Sequence, residues 1–450
     1  MKYYIIFLLS IGLSSCSKFL ELKPDQNMEI PSTLADCELL LNDFTAMNAS
    51  YAVMPIMMGE EFYFHTEDWQ TIVDMDERMG YIWSDEPVIG SLNWQGPYKT
   101  IYVCNQIFAI YNKLSQQDKS SEQGKLILGN AHFFRAFAYQ QLLELYTLPY
   151  DPATASNELG LPLKLTPDVV PAEGRASLSA TYDQVVQDYK QAVSLLKPTS
   201  IAKSRPTKGA AQAGLSRLYL DMRDYEKAYL YADSAWTLQP TLIDYNILDP
   251  YDEMAIPKNN QEIYFTALTG YSESIGPYSN RINPDLIDLY EADDLRISIY
   301  FQYNDFDPGT YGYKTNYDQS YIGTFIGLTT SEMLLIRSEA AARIGKSAIA
   351  LAGINLLRKH RFAPEDYQEV HWGNDILLEE ILKERRRELV FRGRRWADVK
   401  RLNQDAVTQR TLTRNIDGQS YQLVPGSPKF AALIPQIVTQ LNPTIQQNRR

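Results

Sequence analysis

The residues of this chain best suited to chemistry are its aromatics, not its acids, histidines or cysteines. A hydrolase needs an acid and a base or nucleophile placed across the scissile bond, commonly two carboxylates. Pairs such as Glu60-Glu61 and Asp293-Asp294 arise by chance among 55 acidic residues. No Gly-x-Ser-x-Gly elbow, Walker loop or Cys/His pairing accompanies them. His65, His132, His360 and His371 lack any His-Glu-x-x-His or other metal spacing. Asp305, Asp307 and Asp318 offer the hard oxygen ligands calcium prefers, but not in EF-hand order. No catalytic residue, metal or cofactor is therefore expected.

The aromatics are distributed differently. Of 31 tyrosines, many fall in two segments rich in Gly, Pro and acidic residues, together with several tryptophans. A sugar ring has an apolar face of C–H groups and a rim of hydroxyls. An exposed Trp or Tyr stacks on that face while Asn, Asp or Arg side chains bond the rim, and Tyr loses little rotamer entropy on being fixed. The candidates are Trp69, Tyr81 and Trp83 from the earlier segment and Tyr271, Tyr278, Tyr311 and Tyr313 from the later one, with Asp74, Arg78 and Asn280 as polar partners. Any one of these rings could instead pack its own loop onto the body.

Helical hairpins must hold such segments in place. Thr207 to Pro240 follows the tetratricopeptide pattern: Leu215, Ser216 and Tyr219 in a first helix, Ala228, Ala232, Ala235 and Pro240 in a second, and a turn at Asp224-Tyr225. Only Gln212, in place of an aromatic, departs from it. Small residues at Ser216 and Ala228 let the helices approach. Degenerate copies lie at Asn130 to Tyr146, Tyr182 to Leu196 and Glu332 to Arg358, the last turning at Gly345-Lys346. Such units stack to bury their faces. The expected fold is mainly α: a tetratricopeptide-like scaffold over about 105–240 and 331–402, with irregular insertions at about 48–100, 147–180 and 241–330. The run Asp305 to Tyr313 reads as loop, and Glu380 to Leu402 as one helix.

Charge excludes one class of partner. Lys plus Arg number 43 against 55 Asp plus Glu, a net charge of -12, so binding to nucleic acid phosphates is not expected. Arg385-Arg386-Arg387, Arg392, Arg394 and Arg395 are interleaved with Glu379, Glu380, Glu384, Glu388 and Asp398, which points to ion pairs. Trp94 and Trp396 sit among apolar neighbours and read as core.

The first residues read as an address. Lys2 and an apolar run from Tyr3 to Leu13 form a secretory signal too short to span a bilayer. Leu13-Ser14-Ser15-Cys16 then fits cleavage after residue 15 and lipidation of Cys16, hence a membrane anchor. Cys37 and Cys104 are expected to be buried free thiols.

The arginine-rich segment carries a resemblance. Glu384, Arg385, Glu388, Leu389, Phe391, Gly393, Arg395, Trp396, Asp398 and Arg401 resemble the C-terminal signature of the RagB/SusD family. Arg392 departs from it, the family often having Glu there. Phe19-Leu20 and Lys23-Pro24 after Cys16 continue the likeness, as do Trp94, Tyr98, Ile101 and Asn105 in an early helix. So do Arg135-Ala136 with Leu142 and Tyr146, Thr207-Lys208-Gly209-Ala210, Ile434-Pro435, Asn442-Pro443 and Gln447-Asn448. Nearly the whole chain is covered, as one body over residues 16–450.

The resemblance implies a non-catalytic lipoprotein on the extracellular side of the outer membrane. It would capture oligosaccharides and pass them to a SusC-like TonB-dependent transporter. Two alternatives stay open: a peptide-binding import component, and a transporter lid with no ligand of its own. The family's ligand contacts lie in variable insertions, so no site residue carries over.

Overall fold

Small residues at helix crossings set the scaffold. In the computed structural model, which describes residues 31–170, 173–276, 278–314, 317–319 and 323–450, Lys208–Asp221 and Tyr225–Leu238 are the paired helices of one hairpin. The expected leader and Cys16 lie outside the described residues. Thr207 and Asp224 cap the two helices, each side chain accepting from a backbone N–H of the first turn. The Ser216 hydroxyl donates across the pair to the Ala228 carbonyl at 3.0 Å, a contact only small residues permit. Tyr219 lies beside it, stacked on Tyr231 at 5.6 Å.

Neighbouring helices extend the stack on both sides. Leu92–Lys113 packs on Glu122–Tyr146, which packs on Leu178–Leu195 and so reaches the central hairpin. Beyond it come Thr330–Arg343 and Ser347–Lys359, then Leu377–Glu388. The expected mainly α, tetratricopeptide-like scaffold is what the chain forms. Phe133, Phe134 and Phe137 of the Glu122–Tyr146 helix are fully buried and surround Phe265, all within 5.4 Å between ring centres. Cys37 and Cys104 are buried and unpaired with each other, as expected.

Three expectations about local structure are corrected. The early insertion is partly helical, with Met54–Met58, Thr66–Thr71 and Met75–Tyr81, and the scaffold helix already starts at Leu92. The supposed loop ends in a strand: Tyr311–Tyr313 pairs antiparallel with Phe301–Tyr303, leaving only the residues between as a turn. The helix expected over Glu380 to Leu402 is two helices, Leu377–Glu388 and Arg395–Leu402. Phe391 and Gly393 between them take positive φ values of 52° and 67°. A Cβ at Gly393 would lie 2.7 Å from Ile326 Cγ2, so the reversal is pressed tightly against its neighbour.

That break turns the arginine-rich segment inward. Arg296 meets Asp294 and Glu384 at 2.6 Å and Glu388 at 3.2 Å, all four fully buried. Arg361 joins Glu388 to Glu262 at 2.7 and 2.9 Å. Arg394 reaches Glu144 at 2.6 Å, Arg385 reaches Asp398 at 2.8 Å, and Arg401 reaches Glu339 at 2.6 Å. Of the arginines expected to form ion pairs, Arg385, Arg387, Arg394 and Arg395 do so. Arg392 instead lies over the Tyr317 and Phe325 rings at 3.9 and 4.6 Å, and Arg386 has no ion pair among the described residues. The guanidinium groups hold the Glu384 and Asp398 carboxyls well below the usual range despite burial.

Two short pairings bring the early and late insertions side by side. Phe62–Tyr63 pairs antiparallel with Arg281–Ile282, and Tyr51 bridges to Thr269. Between these joins lies the groove described next.

Candidate ligand-binding groove

The groove is a cavity of about 1350 Å³ open to solvent. One wall is the start of the Leu92–Lys113 helix. There Trp94 and Tyr98 turn inward, with ring centres 4.8 Å apart, and the Tyr98 hydroxyl donates to the Pro162 carbonyl at 2.9 Å. Gln95, Lys99 and Tyr102, on the other face of the same turns, stay exposed and line the cavity. Gly96 allows this wall to sit against the early insertion, since a Cβ there would lie 1.8 Å from the Ser50 carbonyl oxygen.

The second wall is the Thr66–Thr71 and Met75–Tyr81 helix pair. Asp74 caps the latter, its carboxylate accepting from Asp76 and Glu77 N–H at 2.9 and 3.1 Å. Glu77 lies one turn on, nearly buried, and accepts the Ser272 hydroxyl at 2.7 Å. Burial raises its carboxyl above the usual range, opposed by the serine hydroxyls.

The third wall is the segment 270–280, joined to the early insertion at Gly270 and by the Arg281–Ile282 strand that follows it, and braced internally by Asn280. Gly270 N–H donates to the Tyr51 carbonyl at 2.8 Å, and the buried Asn280 amide donates to the Ser274 carbonyl at 3.0 Å. With Ser272 fixed on Glu77, the free parts of the segment are its rings. Tyr271 is 63% exposed and Tyr278 64%, and both line the cavity. Val438 and Leu441 close one end from the Gln436–Leu441 helix.

Three of the residues proposed from sequence, Asp74, Tyr271 and Tyr278, thus meet in one hollow. Asn280 is the buried fastening beneath them. Arg78 stands 4.5 Å from the ring centre of Trp69, whose indole N–H donates to the Arg78 carbonyl. The expectation of water-facing rings does not hold for Trp69, Tyr81 and Trp83, which are 7%, 2% and 3% exposed. Arg414 lies over the faces of Tyr81 and Trp83 at 3.6 and 4.5 Å and donates to the Tyr81 and Gly59 carbonyls. Tyr313 is likewise half-buried and stacked on Phe391 at 4.4 Å, while Tyr311 packs on Tyr303 in the hairpin. Neither of the last two lines the groove.

The three aspartates considered for calcium do not converge. Asp307 is held by Arg281 and His65, each at 2.8 Å, and Lys258 stands 3.4 Å from Asp318. His132 is an interior residue whose Nδ1 pairs with Asp188 at 2.7 Å. Gln95, Lys99 and Tyr102 were missed as site residues. Their spacing of four and three places them on one helical face, about 100° round the axis from Trp94, Ile101 and Asn105, and that stripe was readable.

Comparison with known proteins agrees with the architecture. A family model described as starch-binding and associating with the outer membrane matches residues 18–220, and the SusD family model matches residues 298–449. The chain belongs to the SusD family. Its members are carbohydrate-binding proteins associated with the outer membrane.

A SusD-like protein P2 from Formosa agariphila is 23% identical over 391 residues, 72% of this SusD-family chain and 74% of that protein. A SusD superfamily protein from Bacteroides thetaiotaomicron superimposes with a TM-score of 0.74 at 22% identity, over 93% of this chain and 100% of that one. A structure from Bacteroides vulgatus titled a putative sugar binding protein gives 0.75 at 21% identity, over 93% and 99%. These structural likenesses establish the shared fold. Among the described residues no helix is long and apolar enough to cross a membrane.

Proposed function

We propose that this SusD-family protein captures oligosaccharides in the groove between its two insertions, without breaking them. Held at the outer membrane through lipid on Cys16 and facing outward, it delivers them to a SusC-like TonB-dependent transporter. The observation that carries this reading is the pair of exposed rings, Tyr271 and Tyr278, on one fastened segment facing a hollow of about 1350 Å³. A hollow of that size suits several sugar units. The rings offer flat apolar faces, and Asp74, Gln95 and Lys99 offer hydrogen-bonding groups for hydroxyl rims. Asp74 caps its helix through Oδ1 alone, which leaves Oδ2 for a sugar hydroxyl, whereas the nearly buried Glu77 is occupied by Ser272.

Calorimetry against glycan and peptide panels, run side by side, tests the reading. One polysaccharide class is expected to bind with micromolar to millimolar affinity, and Tyr271→Ala and Tyr278→Ala each to weaken it roughly 10-fold, about 1.4 kcal/mol. Binding of peptides but no glycan would replace the reading with the import of peptides. Unchanged glycan affinity in both variants would move the site elsewhere.

A further inference from the structure

Charge on the groove wall narrows the ligand class. Among the described residues, the titratable groups lining the cavity, apart from tyrosines, are Asp68, Asp74, Glu77, Glu273 and one cation, Lys99. Asp68 is paired with Arg281. Asp74, Glu77 and Glu273 have no ion-pair partner among the described residues; Asp74 accepts only backbone N–H bonds, and Glu77 accepts a serine hydroxyl. The imbalance is local and sits on two facing elements, the start of the Met75–Tyr81 helix and the segment carrying both exposed tyrosines. It contrasts with the buried core, where carboxylates such as Glu384 and Glu388 are matched by arginines.

We infer that the groove selects uncharged oligosaccharides and rejects those bearing carboxylate or sulfate groups. The inference rests on the glycan-capture reading and deepens it. A neutral sugar donates its hydroxyl protons to Asp74 and Glu273, where a charged acceptor strengthens the bond, while Glu77, nearly buried, stays behind them holding Ser272. A uronate or sulfate ester on the same ring would bring an anion toward unneutralised carboxylates in a partly desolvated hollow, where like charges repel more strongly than in water. Lys99 offers one compensating charge, which cannot serve a chain acidic at every unit. The overall charge of -12 adds to the repulsion at longer range.

The test uses the purified chain from residue 17 onward and two sets of probes: gluco-, manno- and xylohexaoses, and hexamers of galacturonate, mannuronate and sulfated galactose. Isothermal calorimetry is expected to find a neutral hexaose bound at least about 10-fold more tightly than any acidic one. Raising NaCl should leave the neutral affinity unchanged and improve the acidic one, as repulsion is screened over about 10 Å at 0.1 M. The double variant Asp74→Asn, Glu273→Gln keeps a helix-capping side chain and should move the ratio of acidic to neutral affinity toward one by about 5-fold. An acidic hexamer bound as tightly as the neutral ones, or more tightly, overturns the inference and leaves glycan capture standing. Failure of both sets to bind overturns both.

Discussion

The arginine-rich break between Leu377–Glu388 and Arg395–Leu402 and the groove wall around Asp74, Glu77 and Glu273 use the same chemical groups in opposite ways. At the break Glu384, Glu388 and Asp398 are buried and each faces at least one guanidinium within 2.8 Å. At the groove Asp74 and Glu273 have no ion-pair partner among the described residues, and Tyr271 and Tyr278 beside them are exposed. Charges removed from water must be neutralised in place, so the break is over-determined by its partners. Charges left at a wet wall need no fixed partner and keep their bonding capacity for something that arrives. The difference separates a region that specifies the fold from one that the fold presents.

The strongest way to break that contrast is to remove a central cation. Arg296→Met leaves Asp294, Glu384 and Glu388 short of a partner and should cost about 3–5 kcal/mol in urea unfolding. A loss below 1 kcal/mol would mean the network is not holding the break.

A smaller effect sharpens it through pH. Glu61 lies beside the break, accepts the Phe391 N–H at 2.9 Å, and is pushed up to about 7 by burial. A carboxyl whose folded value is raised binds more protons when folded than when unfolded. Its contribution is therefore favourable at low pH and is lost as pH rises from about 4 to about 7. Glu61→Gln should flatten that part of the stability profile and stabilise the protein at pH 8, relative to wild type, by about 1–3 kcal/mol. An unaltered slope between pH 5 and 8 would place the titration elsewhere.

At the groove the same measurement should show almost nothing. Tyr278→Ala is expected to change unfolding free energy by less than about 0.5 kcal/mol, since an exposed ring off the core contributes little to folding. A loss of 2 kcal/mol would make Tyr278 a packing residue and dissolve the contrast.

The scaffold was legible because its signal is local. Ser216 and Ala228 lie twelve residues apart in one hairpin, and their contact follows from helical spacing alone. The burial of Tyr81 and Trp83 was not legible, because the group that covers them, Arg414, comes from more than three hundred residues downstream. Glycine, proline and aromatic composition looks the same whether a ring faces water or a distant guanidinium. For the same reason Tyr271 and Tyr278 could not be told apart from Tyr311 and Tyr313 before the chain was folded. The break at Phe391 and Gly393 was masked by helix-forming neighbours on both sides. Gly393, of a residue type that adopts positive φ without strain, carried the one local signal of it.

The fastening of the 270–280 segment has an evolutionary corollary. Its hinges, at Gly270, Ser272 and Asn280, bind to backbone or to one nearby glutamate, and none of those bonds involves the rings between them. The span can therefore exchange its displayed side chains as an interchangeable cartridge, and a lineage moving to a new food source could retune it without renegotiating how the rest of the polypeptide assembles.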